Sequence, residues 1–550
     1  MGTKRRGSRH SGVPVTPSES SGIPKFLRSR VSIVPALKKI GGDFGSLSSL
    51  WPRSELVPDD FGNLTINQPL VGSVVNGTIA LNGKVTDTTT SIVEVKVDSG
   101  SYVTMSGTLA WSHALNLGAL SNGSHSITVR SKNSGGTVLA SKTITFTYTA
   151  NASLPAGVTL RDIDGGANYF GNWTFSYPVV DTFYPIGVWA ETIASGSSDV
   201  LLYKNMGVFT FSHIWGGPTA GNMNALIANS GMYAVGMCTF NDFTFSTSFD
   251  TSYGNALAAH FFGDEMDTLP YDGGLPAWLA AGYVEGNYLG QRYTRPEGIR
   301  NMSNLVRTHD PNRPVYNQYT KPIAQPGWGS WYLTDADKHL YCTASDIVSF
   351  DWYVVSDPYT ANGQVWNMWD ATMNARELSN YCKPVWPFIE TSKVTTTYTR
   401  DPTDAQMGAE IWNCIIAGAR GYEYFNHCFY SGEETQHLLI DPYYATTSAY
   451  LHGVNDTVAA LAPVINARFA DGCVTTTGSI HTMTKYYGGK FYVFAIPYIV
   501  GAQNNIQFTL ASTATTTATV LNESRTRTVT AGVFTDSFTD ENICHIYRIE

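Results

Sequence analysis

Residues 258–267 read Ala258-Ala259-His260-Phe261-Phe262-Gly263-Asp264-Glu265-Met266-Asp267, and residues 384–392 read Pro384-Val385-Trp386-Pro387-Phe388-Ile389-Glu390-Thr391-Ser392. Each is a short apolar run that passes directly into glutamate, the pattern of a strand buried on both faces whose end meets solvent. Both belong to a series. Apolar runs at Pro185–Ala190, Gly207–Phe211, Tyr233–Cys238, Ala258–Phe262, Pro314–Asn317, Ile347–Phe350, Val385–Ile389 and Gly421–Phe425 alternate with stretches long enough for helices. Eight such runs in about 245 residues predict an α/β domain of the (β/α)8 TIM-barrel type, whose usual size is about 250 residues. A doubly wound sheet competes, but no GxGxxG follows an early run.

The barrel accounts for less than the whole chain of 550 residues, and single cores stop growing near 250 to 300 residues. From about 66 to 150 the pattern is period-two alternation broken by turn signals, as in GTIALNGKVTD and IVEVKVDSG, which predicts an antiparallel β-sandwich. Residues 470–550 return to β character with Lys490-Phe491-Tyr492-Val493-Phe494-Ala495 and Ile506-Gln507-Phe508-Thr509-Leu510. The predicted organisation is multidomain: a basic arm over 1–62, an Ig-like β-sandwich over 63–152, the barrel over 153–468 and a C-terminal β-sandwich over 469–550.

Composition narrows the function classes. Charged residues make up only 14%, and polarity is carried by Thr, Ser, Asn and Gly beside 31 Tyr, 25 Phe and 13 Trp, a mixture suited to sugar-binding surfaces. Net charge is −9, although residues 1–40 hold nine Lys and Arg against Glu19 alone. The acidic body argues against nucleic acid, which needs clustered Lys and Arg on the folded surface. The arm either docks on an anionic surface or partner, or is a disordered terminus. Seven cysteines show no CxxC pair and no zinc spacing, so neither a metal site nor a disulfide scaffold is indicated, and no cofactor is expected. No apolar signal-peptide core and no run of about 18 apolar residues is readable, so no membrane span is expected.

Barrel enzymes carry reactive groups where strands end at the C-terminal face. Glu265 and Glu390 are two acids at such ends, and glycoside hydrolysis needs two carboxylates flanking one bond. Other strand-end residues suited to a sugar site are His213 and Trp215, Trp352 and Tyr353, and Asn426 and His427. The tryptophans either floor a pyranose ring or belong to the core. The histidines suit hydrogen-bonding walls better than metal ligation, since no third ligand is suitably spaced.

Val93-Glu94-Val95-Lys96-Val97-Asp98 and Leu120-Ser121-Asn122-Gly123-Ser124-His125-Ser126-Ile127-Thr128-Val129-Arg130 resemble bacterial immunoglobulin-like repeats, which space or anchor other domains. In residues 185–550 the two glutamates, Ser345-Asp346-Ile347-Val348-Ser349-Phe350-Asp351-Trp352-Tyr353 and the Gly418–His427 stretch together resemble the retaining glycoside hydrolases of clan A. Gly263-Asp264-Glu265-Met266-Asp267 is similar to a D-E-P-D strand-four motif of β-galactosidase-like barrels. That resemblance implies Glu265 as acid/base and Glu390 as nucleophile, with Asp264 where the clan places the Asn that holds a sugar 2-hydroxyl; apolar surroundings and the neighbouring carboxylate are expected to leave Glu265 initially protonated and Glu390 initially charged. It also implies a Tyr353 hydroxyl on Glu390, against the alternative of a packing aromatic. The expected partner is a cell-surface or cell-wall carbohydrate, and the expected location extracellular or on a virion such as a phage tail. The competing expectation is a non-catalytic sugar-binding, adhesion or structural protein of a phage particle.

Overall fold

Eight parallel strands form the central sheet: β1 (Ile186–Trp189), β2 (Thr210–Ser212), β3 (Tyr233–Met237), β4 (Leu257–Phe261), β5 (Tyr316–Tyr319), β6 (Ile347–Phe350), β7 (Val385–Glu390) and β8 (Tyr422–Phe425). Their order is β4-β3-β2-β1-β8-β7-β6-β5, and the ring nearly closes, with a single parallel bridge from His260 to Val315 joining β4 to β5. The computed structural model describes residues 64–68, 74–75, 78–85, 87–149, 154–214, 218–237, 253–268, 276–325, 327, 329, 332–357, 363–394, 400–429 and 434–550. Each apolar run of the sequence lands on a strand, displaced at an end by at most three residues. The largest displacement precedes β2, where Gly207 turns the chain at φ 72° and a side chain would meet Asn455 Cβ at 3.0 Å. Cys238 lies outside the described residues.

Helices α1 (Ser197–Asn205), α2 (Ala220–Ala228), α3 (Pro296–His309), α4 (Asp335–Ala344), α5 (Asn367–Leu378), α6 (Asp404–Ala417) and α7 (Ala445–Ile465) wrap the sheet. Local sequence dictates several ends. Thr334 and Thr403 each accept from the amide three residues on, while the side chains of Asp337 and Gln406 return the bond, so α4 and α6 begin in capping boxes. Gly418 closes α6 at φ 97°.

Alternation sorts the strand residues into two cores. Outward residues such as Val188, Phe211, Val348, Ile389 and Tyr424 join the helices, whereas Trp189, Val235, Phe261, Tyr316, Trp386, Phe388 and Phe425 fill the ring. The filling is aromatic, with Trp189 5.2 Å from Phe261 and 5.1 Å from Phe388 between ring centres. One acid sits among them. Glu423 accepts from Ser212 Oγ at 2.8 Å and Tyr316 Oη at 3.0 Å, and burial pushes its carboxyl up to about 8. The folded chain therefore holds this proton more tightly than the unfolded chain, and stability falls as pH rises from the ordinary glutamate range to about 8. Glu423→Gln is expected to remove that loss, worth roughly 4 kcal/mol by the conversion of pKa difference into free energy. Urea unfolding at pH 5 and pH 8 measures it, and an unchanged pH slope in the variant would contradict the assignment.

The seam between β4 and β5 is backed by a buried ionic cluster. Asp310 accepts from His260 Nε2 at 2.7 Å and Arg313 Nη1 at 2.7 Å, and Arg313 also donates from Nε to Leu257 O at 2.6 Å. All three side chains are fully enclosed.

Residues 64–148 form a two-sheet β-sandwich around Val93, Val95, Trp111, Ile127, Val129 and Phe146. His125 bridges Asp98 and the Ser121 carbonyl there, at 2.7 and 2.8 Å. A second sandwich is built from strands over residues 468–549, around Val493, Phe508, Val529, Phe534 and Tyr547. One sheet of twelve strands runs through both, because Thr159–Arg161 pairs with Val74–Val75 on one side and Arg468–Asp471 on the other. Among the described residues no helix is long and apolar enough to cross a membrane, and no cluster of His, Cys, Asp or Glu is placed to hold a metal ion.

Candidate active site

Because all eight strands run the same way, groups following their last residues gather at one end of the ring. Glu265 comes four residues after β4 and Glu390 ends β7, so the two acids lie at the same end, three strands apart around the circle. Non-glycine residues with left-handed backbone also collect there: Ala190 after β1 (φ 52°), His213 after β2 (φ 57°), Glu265 after β4 (φ 48°) and Val394 after β7 (φ 56°). Such conformations cost of order 1–3 kcal/mol and persist where the surroundings impose them, often at working sites.

Glu265 is partly exposed, and its backbone amide donates to Gln318 Oε1 of β5 at 2.9 Å, which positions the turn. Asp264 beside it is partly exposed too. Asp267 is instead fully buried, accepts from the Thr320 amide and hydroxyl at 3.0 and 2.9 Å, and is pushed up to about 7 by burial. It fixes the turn that presents Glu265.

Glu390 differs in kind. Its carboxylate is completely enclosed, accepting from the Val355 amide at 2.6 Å and the Ser356 amide at 2.9 Å in the loop after β6. Its side chain also meets that of Glu410, a buried residue in the middle of α6. Burial pushes both carboxyls up, Glu410 well above the ordinary range, since the adjoining Glu390 opposes a second charge there while the two amides favour the Glu390 anion. The two carboxyls therefore titrate as a pair, and a second negative charge in this enclosed space is opposed.

The remaining expected site residues divide. His213 is buried against Trp189 and Phe261, and burial holds its imidazole neutral, down to about 3. His427 Nε2 lies 2.7 Å from the Trp189 carbonyl and its ring stacks on Phe429, so both histidines cap the aromatic filling. Trp352 is 6% exposed within the outer core, and Tyr353 packs on Phe425 at 5.2 Å. Trp215 lies outside the described residues. Asn426 is fully buried, donating to Glu191 Oε2 at 2.7 Å and accepting from the Leu439 amide at 2.8 Å.

Glu191 was missed by the sequence reading, although Val188-Trp189-Ala190-Glu191 is another apolar run ending in glutamate. It is entirely buried and accepts from Tyr203 Oη at 2.5 Å and the Thr192 amide at 2.9 Å, and pairs with His437 Nδ1. Away from the strand ends, a cavity of about 500 Å³ lies where α5 and the end of α6 meet the second sandwich, lined by Arg161, Trp369, Arg376 and Phe469. It holds none of the strand-end acids.

Comparison with known proteins bears first on the amino-terminal sandwich, where residues 63–129 match the family described as a bacterial Ig domain. The chain as a whole is a multidomain protein with that Ig-like domain and a nearly closed eight-stranded parallel barrel. No curated protein matches it. Among solved structures it is similar to a family 39 glycoside hydrolase from Bacteroides cellulosilyticus WH2, at 10% identity and TM-score 0.39, over 88% of this chain and 100% of that one. A GH30 endoxylanase from Clostridium papyrosolvens C71 matches at 14% identity and TM-score 0.37, over 69% of this chain and 98% of that one. At those values neither neighbour's activity transfers to this chain.

Proposed function

We propose that the chain is a glycoside hydrolase acting on a polysaccharide or glycan by retaining double displacement. The observation that supports it is the delivery of Glu265 and Glu390 to the same end of one barrel, with Glu265 partly exposed. In this reading Glu265 protonates the glycosidic oxygen as Glu390 attacks the anomeric carbon, and Glu265 then takes a proton from the water that releases the glycosyl-enzyme. Asp264 holds a sugar hydroxyl beside the reacting bond. The Val355–Ser356 turn covers Glu390 and has to move aside before attack. The Ig-like domain serves as a spacer and the basic arm as a dock on a cell or virion surface, placing the barrel outside the cell or on a phage tail.

The enclosure of Glu390 favours a second reading, a sugar-binding module of such an assembly without turnover. Nitrophenyl glycosides and cell-wall polysaccharides assayed with wild type and Glu390→Gln separate the two. Turnover abolished in the variant, with the product's anomeric configuration retained by NMR, is the expected result. Binding without turnover in the wild type would overturn the hydrolase reading, and inversion would overturn the mechanism.

A further inference from the structure

The wall between β1 and β8 holds a hydrogen-bonded carboxylate–imidazole pair that the proposed hydrolysis leaves unused. Glu191 is 0% exposed and gathers Tyr203 of α1, Asn426, the Thr192 amide and His437 Nδ1 onto one carboxylate. The His437 side chain is 38% exposed. With Nδ1 turned into the wall, the outer edge of the ring carries Nε2, which meets no hydrogen-bond partner among the described residues. A buried carboxylate at one imidazole nitrogen orients the ring and raises the basicity of the other, so that the ring keeps a donor proton there to higher pH.

Position around the ring gives the pair its meaning. His437 belongs to the loop after β8, and β8 lies four strands from β4 in a circle of eight, so this loop stands across the strand-end face from the turn carrying Glu265. An extended ligand crossing that face from Glu265 runs towards His437. We propose that His437, oriented by Glu191, is a ligand-contacting residue that donates a hydrogen bond from Nε2 to a hydroxyl oxygen of a bound saccharide, opposite Glu265. The inference rests on the reading of this face as a glycan site, though not on turnover. The groups facing the imidazole are Glu191, which directly raises its affinity for a proton, and Asp199 and Asp441, which add to it. The donor form is accordingly present at low pH and is lost as pH rises through the raised imidazole value.

The test uses the full chain, with xylo-, cello-, manno- and galacto-oligosaccharides as probes, in calorimetry from pH 5.5 to 8.5 beside the turnover panel. The wild type is expected to bind one of them more weakly as pH rises. His437→Gln should bind it at least tenfold more weakly at pH 5.5, without the pH dependence, raising KM while kcat changes less than threefold. Glu191→Gln should move the inflection to lower pH, a shift that a loop tether would not produce. If that buried variant does not fold, His437→Gln, at a partly exposed side chain, carries the test alone. Unchanged affinity and pH dependence in His437→Gln, a change confined to thermal stability, or no binding of any probe by the wild type would overturn the proposal. Binding that depends on His437 without turnover would leave it standing and sink the hydrolase reading.

Discussion

Glu265→Ala lowers turnover of a glycoside with a poor leaving group by about 10²- to 10⁴-fold, the contribution expected of a positioned general acid–base group. With a dinitrophenyl leaving group, which departs without protonation, the first step survives and the glycosyl-enzyme accumulates, because no base activates water. Azide needs no base, so it restores turnover and yields a glycosyl azide. The structure makes the variant clean. The contact of this turn with Gln318 uses the Glu265 backbone amide, which alanine retains, and the side chain is partly exposed, so the fold is expected to stay intact. Steady-state rates with and without azide, on whichever substrate the wild type cleaves, decide the matter. Full activity in Glu265→Ala, or activity lost without azide rescue, would remove Glu265 from the chemistry.

Asp310→Ala is expected to destabilise the chain by about 3–5 kcal/mol, the usual cost of removing one partner from a buried ion pair. Arg313 and His260 would remain enclosed without their shared carboxylate, at the seam where a single bridge joins β4 to β5. Burial alone would raise the Asp310 carboxyl, but His260 and Arg313 outweigh it and hold the group well below the ordinary range. A depressed acid stabilises the fold above its unfolded value, and that contribution is lost as pH falls. Urea midpoints at pH 7 and pH 3 check both claims: the gap between wild type and variant should be large at pH 7 and narrow on acidification. A loss below 1 kcal/mol at pH 7 would mean that the seam does not depend on this cluster.

How much of this was legible in the sequence follows from what burial does to side chains. Strands of a parallel barrel are apolar on both faces, so all eight announced themselves as runs, and Ile347–Phe350 matches residue for residue. Glu265 was legible because a polar group directly after such a run has few places to go other than the open end. The same rule led to Glu390, where it says nothing of the amides of Val355 and Ser356, contributed by a loop about 35 residues away in sequence. Glu410 left no trace, being a polar residue like Asn413 in the buried stretch of a helix, with a partner set by how α6 packs on β7. Glu191 leaves the same mark in the sequence as Glu265, an apolar run ending in glutamate. The place of Asn426 after β8 predicts a sugar contact, but both ends of its amide are engaged by Glu191, Tyr203 and Leu439 inside the wall.

The shared twelve-stranded sheet has a mechanical implication. Thr159–Arg161, within the chain that joins the Ig-like domain to the barrel, ties that domain to strands near the carboxyl end, by the pair Leu160–Val74 on one side and by three pairs with Phe469, Ala470 and Asp471 on the other. A pull applied upstream of residue 64 would therefore be shared with the closing sandwich before the barrel felt it, so tension from an anchored amino terminus could be borne while the strand-end face keeps its shape.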